Sequence, residues 1–343
     1  MLVLSLAGAC FGNALLAREA ADAPREVPGR ILPVPETVSP QMTKLIARAA
    51  MRPVAPQSPQ EWKATVEAAA AQDLARITEL RKQFAVTVEA TRLGGVPCFT
   101  VTPAQLPQRN QHRVLLHLHG GGYVFAPGEA GTLEAIVMAG FGHMRVISVD
   151  YRMPPDHPYP AAMDDAMAVW KELARREKPA NMGVFGTSTG GGMTLALVQR
   201  IREEKQPLPA AIAPGTPWSD LTDTGDSYFT NEGVDNGLVA YDPLLSAAAR
   251  LYAHGRDLKD PHLSPVYGDF HGFPLTILTS GTRDLFLSNT VRVHRKLREA
   301  GVEAALEVYE GQSHGQYLAD TTAPESKEAF EEIAAFFDRH LGK

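Results

Sequence analysis

VFGTSTGGG, residues 184–192, places a serine between two glycines at the end of an apolar run, and Gly186, Ser188 and Gly190 hold the spacing G-x-S-x-G. A loop that needed only flexibility could carry its glycines anywhere, so the fixed spacing asks for a geometric reason. A tight strand-to-helix turn supplies one. It strains the serine backbone, thrusts the hydroxyl outward and leaves no room for side chains two positions away. The flanks suit such a turn: NMGVF, 181–185, reads as a short buried strand, and GMTLALVQRIREEK, 192–205, as a helix with an apolar stripe and a charged end.

Working outward, strands and helices alternate. FAVTVEATRLGGVPCFTVTP, 84–103, reads as two strands around a Gly94-Gly95 turn. Six more strands follow in HRVLLHLHGGG (112–122), MRVISVDYR (144–152), NMGVF, AAIAPGTP (210–217), PLTILTSGTRD (274–284) and AALEVYEG (304–311), with helices between most of them. The pattern predicts an eight-stranded, mostly parallel sheet covered by helices on both faces. A final helix in ESKEAFEEIAAFFDRHL, 325–341, is expected to bury Phe330, Ile333, Phe337 and Leu341 on one side.

Two segments fall outside this alternation. Residues 26–59 are rich in proline and read as a surface wrap with one short helix in QMTKLIARAA, 41–50; a firm helix then starts at Ser58, Pro59 and Glu61, a capping-box signature. Along that helix Trp62, Val66, Ala70, Leu74, Ile77 and Phe84 recur at helical spacing. The interval 218–273 is longer than an ordinary crossover and mixes aromatics with turn residues, which predicts a lid. The expected organisation is an N-terminal cap or wrapping segment over 21–85 and a catalytic domain over 86–343 with a cap insertion at about 218–273.

A chain of 343 residues with 44% hydrophobic content buries a large core. Its formal charge of -6, with no basic cluster, excludes nucleic acid as a partner. Cys10 and Cys98 lack the spacing of a disulfide framework or a structural zinc site, so metal-free and cofactor-free chemistry is expected. The apolar opening MLVLSLAGACFGNALLAREA resembles a signal peptide over residues 1–20. No Lys or Arg precedes its apolar run, and it is too short for stable membrane insertion. Export to a periplasmic or secreted location is the expectation, with a packed N-terminal helix on a cytoplasmic protein as the alternative. The oligomeric state is left open, a homodimer included.

A serine held on such a turn suits acyl transfer, which needs donors aimed at the oxygen that becomes negative in the tetrahedral intermediate. HLHGGGYVF, 117–125, follows a strand, and Gly120, Gly121 and Gly122 let backbone amides approach a ligand closely. The amide of Thr189, next after the serine, completes the set. A histidine base belongs late in the chain, after the acid, and His314 in EGQSHGQY follows the last strand; His294 lies within a helix, and His254, His262 and His271 precede the acid candidate. That acid is Asp284, at the end of PLTILTSGTRD. Asp150 also ends a strand but precedes the serine, and reads as structural.

HGGG at 119–122, DYRMPPDHPYPAAMDDA at 150–166, G-x-S-x-G, a strand-terminal Asp and a late His, in that order, resemble the hormone-sensitive-lipase-like group of α/β-hydrolases, bacterial family IV esterases included. The resemblance runs from about Val86 to the C-terminus. It implies an α/β-hydrolase fold, a triad of Ser188, Asp284 and His314, oxyanion donors from Gly121, Gly122 and Thr189, and a cap built from the N-terminal helices and the insertion. Where that group usually has GDSAG, this chain has GTSTG. Thr189 acts through its backbone, although its β-branched side chain is expected to narrow the nearby pocket; Thr187 removes a charge beside the nucleophile.

The expected function is hydrolysis of small to medium carboxylic esters or lactones through an acyl-enzyme, with a small-molecule ester or lactone as the substrate. The alternatives are a non-catalytic ligand-binding protein on the same fold, a lipase or an amidase. Tyr123, Trp218, Phe286 and Tyr317 are candidate pocket residues: Tyr123 follows the glycine run, Trp218 opens the insertion, and Phe286 and Tyr317 lie close in sequence to the triad acid and base. An enclosed apolar pocket favours acyl groups of roughly two to eight carbons.

Overall fold

The computed structural model describes residues 26–29 and 31–342. The chain divides into two compact units, 1–33 and 34–343, and the second carries every element discussed below. The expected signal peptide and Cys10 lie outside the described residues.

Eight strands form one sheet: β1 (Val86–Leu93), β2 (Val96–Pro103), β3 (Val114–Leu118), β4 (Arg145–Val149), β5 (Met182–Thr187), β6 (Ala211–Gly215), β7 (Leu275–Gly281) and β8 (Ala304–Tyr309). Their order is β1-β2-β4-β3-β5-β6-β7-β8. β1 and β2 make a hairpin whose central residues Gly94 and Gly95 have φ of 59° and 83°, the left-handed pair that a two-residue turn requires. β2 pairs antiparallel with β4, and every later pairing is parallel. β3, β5 and β6 are buried on both faces, and so read as continuous apolar runs instead of alternating ones.

Nine helices surround the sheet among the described residues: α1 (Pro40–Ile46), α2 (Pro59–Gln83), α3 (Leu133–Gly142), α4 (Ala161–Arg176), α5 (Thr189–Glu203), α6 (Ser227–Thr230), α7 (Leu244–Ala253), α8 (Leu287–Glu299) and α9 (Pro324–His340). Successive strand residues point to opposite faces. Val114, Leu116 and Leu118 therefore join a core with α4, α5 and α8, while Leu115 joins a second core with α3 and α9. The residues expected inside, Phe330, Ile333 and Phe337 of α9 and Leu341 at its C-cap, are all buried there.

α2 departs from its sequence reading. Ser58 Oγ does cap it, accepting from the Glu61 amide at 3.2 Å, but Glu61 reaches back to the amide of Gln57 instead of Ser58. Of the expected apolar face only Trp62 and Ile77 are buried; Leu74 is exposed and Phe84 sits at the C-cap. The helix runs from one core, at Trp62, to the other, at Ile77 and Leu80. Between these ends no residue of the helix is buried, and Asp73 lines a cavity.

The carboxyl ends of β3, β5, β7 and β8 lead directly into the glycine run, Ser188, Asp284 and His314. Ligands of open α/β sheets bind at that edge.

Candidate active site

Ser188 is the N-cap of α5, with φ 64° and ψ −123°, a strained conformation for a residue with a side chain. Its amide donates to Gly215 O at 2.9 Å and its carbonyl accepts from Gly192 and Trp218, so the surrounding backbone holds the strain in place. The glycine spacing has a direct cause. A Cβ on Gly186 or on Gly190 would come within 2.0 Å or 1.9 Å of Leu118 O, and no movement of side chains relieves a contact with backbone.

Asp284 and His314 meet across the ends of β7 and β8. The Asp284 carboxylate is fully buried; Oδ2 accepts from Ser280 Oγ at 2.7 Å, while Oδ1 accepts from the Phe286 amide at 2.8 Å and faces His314 Nδ1 at 3.0 Å. With the carboxylate as acceptor, Nδ1 carries the proton and Nε2 is left as the basic atom. Nε2 is buried and has no hydrogen-bond partner among the described residues. His314 and Ser188 line the same cavity of about 400 Å³, in which a substrate would bring hydroxyl and imidazole into register.

The glycine run forms the opposite wall. Gly121 and Gly122 have φ of 114° and 63°, and a Cβ on Gly120 would lie 2.8 Å from Thr187 O and 3.4 Å from Ser188 Cβ. Among the described residues, the amides of Gly121 and Gly122 donate to no protein acceptor. As the first residue of α5, Thr189 has an amide without an intrahelical partner. These three donors and the positive end of the α5 dipole suit a developing oxyanion. His119 props the run: its Nδ1 bonds Gly120 O at 2.8 Å, its ring stacks on Tyr151 at 4.0 Å, and the Tyr151 hydroxyl donates to His119 O at 2.7 Å. Burial pushes the His119 imidazole down to about 3, which keeps it a neutral fixture.

Over residues 115–318 the sequence matches the family described as the alpha/beta hydrolase fold. The chain belongs to this family. The structure of an esterase, E25, is similar with a TM-score of 0.90 at 44% identity, covering 93% of this chain and 99% of that one. An esterase from the bacterial hormone-sensitive lipase family aligns with a TM-score of 0.70 at 27% identity over 84% of this chain and all of that one. An acetyl-hydrolase of Streptomyces hygroscopicus is 29% identical over 238 residues, 69% of this chain and 79% of that protein. Within the fold, this chain falls in the hormone-sensitive-lipase-like group.

The cavity of this α/β-hydrolase corrects one expectation. None of Tyr123, Trp218, Phe286 and Tyr317 lines it; all four are at most 2% exposed. Tyr123 stacks on Tyr252 at 3.6 Å, Trp218 stacks on Phe286 at 5.5 Å, and Phe286 in turn meets the His314 ring edge-on at 4.7 Å. Large aromatic rings gain most where they are surrounded on all sides, and these four are packed within the walls. Leu238, Leu244, Leu245 and Ala248 from the β6–β7 connection, with Leu133, Phe125 and Leu318, supply that surface. Thr189 is fully buried and does not line the cavity either, so its side chain does not narrow it. Asp150 accepts from the Gly128 amide at 2.9 Å, a structural contact as expected.

Sequence reasoning missed Asp235. Its buried carboxylate accepts four amides: Gly237 and Leu238 on Oδ1 at 2.8 and 2.9 Å, Leu285 and His314 on Oδ2 at 2.8 and 3.1 Å. It thus ties the covering segment to the residue after the acid and to the histidine itself. Burial, followed by the Asp284 carboxylate, pushes its pKa up, while the amide bonds oppose that. The only sequence signal was D-N-G at 235–237, which reads as a turn. No group of three or more potential metal-ligating side chains is present among the described residues.

Proposed function

We propose that Ser188 is the nucleophile of a serine esterase, His314 its general base and Asp284 the residue that orients the imidazole. Ser188 Oγ attacks the ester carbonyl as its proton passes to His314 Nε2. The resulting oxyanion is held by the amides of Gly121, Gly122 and Thr189. His314 returns the proton to the departing alcohol oxygen, and a water activated in the same way releases the acid. The observation that carries this reading is the 3.0 Å His314–Asp284 contact, with His314 lining the same cavity as a serine strained at a helix N-terminus. The esterase and acetyl-hydrolase relatives support carboxylic esters as the substrate class.

A cavity of about 400 Å³ faced by aliphatic side chains supports small to medium acyl groups. Turnover of p-nitrophenyl esters is expected to peak between roughly two and eight carbons and to be abolished in Ser188→Ala. A maximum at palmitate would refute the size reading, and activity surviving in Ser188→Ala the nucleophile. We further propose export with cleavage near Ala17 to Ala21; N-terminal sequencing of protein expressed from its native upstream region tests this, and an intact N-terminus on cytoplasmic protein would contradict it.

A further inference from the structure

Thr187, the residue before the nucleophile, stands where the related GDSAG motif carries an aspartate. Its side chain is buried, and so is a carboxylate that reaches it from the first turn of α3, Glu134. The Thr187 amide donates to Glu134 Oε2 at 3.0 Å, and its hydroxyl donates to Glu134 Oε1 at 2.6 Å. Tyr317 OH lies 2.6 Å from the same hydroxyl. Since the single hydroxyl proton of Thr187 goes to the carboxylate, the bond from Tyr317 must run the other way, with the phenol donating. Burial, and then the charge of Glu134, drive the Tyr317 pKa well above its ordinary value, which keeps that donor protonated. His117 Nε2 approaches Glu134 Oε2 at 3.2 Å, and Ser148 Oγ approaches His117 Nδ1 at 2.9 Å. One directional set of bonds satisfies all five side chains: Ser148 to His117 to Glu134 from one side, Tyr317 to Thr187 to Glu134 from the other.

This network joins the parts that must keep register. Thr187 adjoins Ser188, His117 lies on β3 just before the glycine run, and Tyr317 is three residues past His314. We propose that Glu134 supplies, from α3, a carboxylate at the position next to the serine where GDSAG sequences carry their own, and that through Thr187 and Tyr317 it sets the spacing between the nucleophile elbow and the His314 loop. Glu134 lies in the inner wall of the cavity, but both its oxygens are engaged by protein donors. It is therefore a positioning residue and takes no part in bond making. The inference rests on the assignment of Ser188 and His314 above.

The test is a charge relocation read by steady-state kinetics on p-nitrophenyl butyrate, with folding followed by circular dichroism. Glu134→Gln is expected to lower kcat by about 10- to 100-fold while KM changes by about threefold or less, as befits slightly misplaced reacting groups. Thr187→Asp alone sets two carboxylates within bonding distance and is expected to be more damaging. The double variant Thr187→Asp with Glu134→Gln restores one carboxylate and one neutral partner, and should recover at least about tenfold over Thr187→Asp. Should Glu134→Gln fail to fold, Thr187→Val, which cuts the link to Tyr317 and keeps the amide bond, carries the test with an expected loss in kcat of about tenfold. A folded Glu134→Gln within twofold of wild type, a folded double variant no better than Thr187→Asp, or an unaltered Thr187→Val would overturn the proposal. Ser188→Ala in parallel separates the failures: wild-type activity in Glu134→Gln beside a dead Ser188→Ala sinks only the role of Glu134.

Discussion

The carboxyl edge of the sheet and the segments that cover it obey different rules. At the edge, the chemistry demands particular residue types at particular spacings. A Cβ at Gly190 has nowhere to go, the strained Ser188 must cap α5, and Asp284 and His314 must leave adjacent strands. In the cover, any side chain of suitable size and polarity serves, and packing decides which faces the substrate. The wall is accordingly made by Leu238, Leu244, Leu245 and Ala248, while the conspicuous aromatics Tyr123 and Trp218 are buried behind it. Edge substitutions should therefore abolish or cripple the esterase, and cover substitutions should re-tune it.

The largest effect is expected at the edge. Gly190→Ala drives a methyl group into Leu118 O, which should cost about 3 kcal/mol or more of stability and about 100-fold or more in kcat. Urea unfolding and turnover measured together check this, and a variant of wild-type stability would mean that the elbow is looser than the structure shows. Next comes the tie between the two regions. Asp235→Asn turns an amide group toward backbone donors that had faced carboxylate oxygens, leaving at least one buried N–H unpaired at a cost of about 1–3 kcal/mol. Because that donor set includes His314, kcat should fall about tenfold with KM little changed; a change in KM alone would place Asp235 in the cover and not in the catalytic frame. The smallest effect belongs to the wall itself. Leu245→Ala widens the cavity, so the preferred p-nitrophenyl ester should lengthen by about two to four carbons with the best kcat/KM within about tenfold of wild type. An unchanged chain-length profile would remove Leu245 from the acyl wall.

The same contrast explains what was legible in the sequence. The elbow, the glycine run, Asp284 and His314 could be read because each residue type is tied to a strand end and to a fixed order along the chain. β3, β5 and β6 could be read because parallel strands buried on both faces are apolar runs, and β1 and β2 because Gly94-Gly95 marks the turn between them. Glu134 could not: it looks like an ordinary acid in the first turn of a helix, and its partner Thr187 is 53 positions away. Asp235 was hidden as a turn residue, and the middle of α2 was misread because helical spacing cannot tell a face packed on a core from one left unburied.

The central claim is that Ser188 is the reactive nucleophile, activated by His314. Incubation with an organophosphonate followed by peptide mass mapping tests it most directly. A single adduct on Ser188, formed at a rate that falls by about 1,000-fold or more in His314→Ala, is the expected result. Labelling at another residue, or labelling of Ser188 at an undiminished rate without His314, would contradict the assignment.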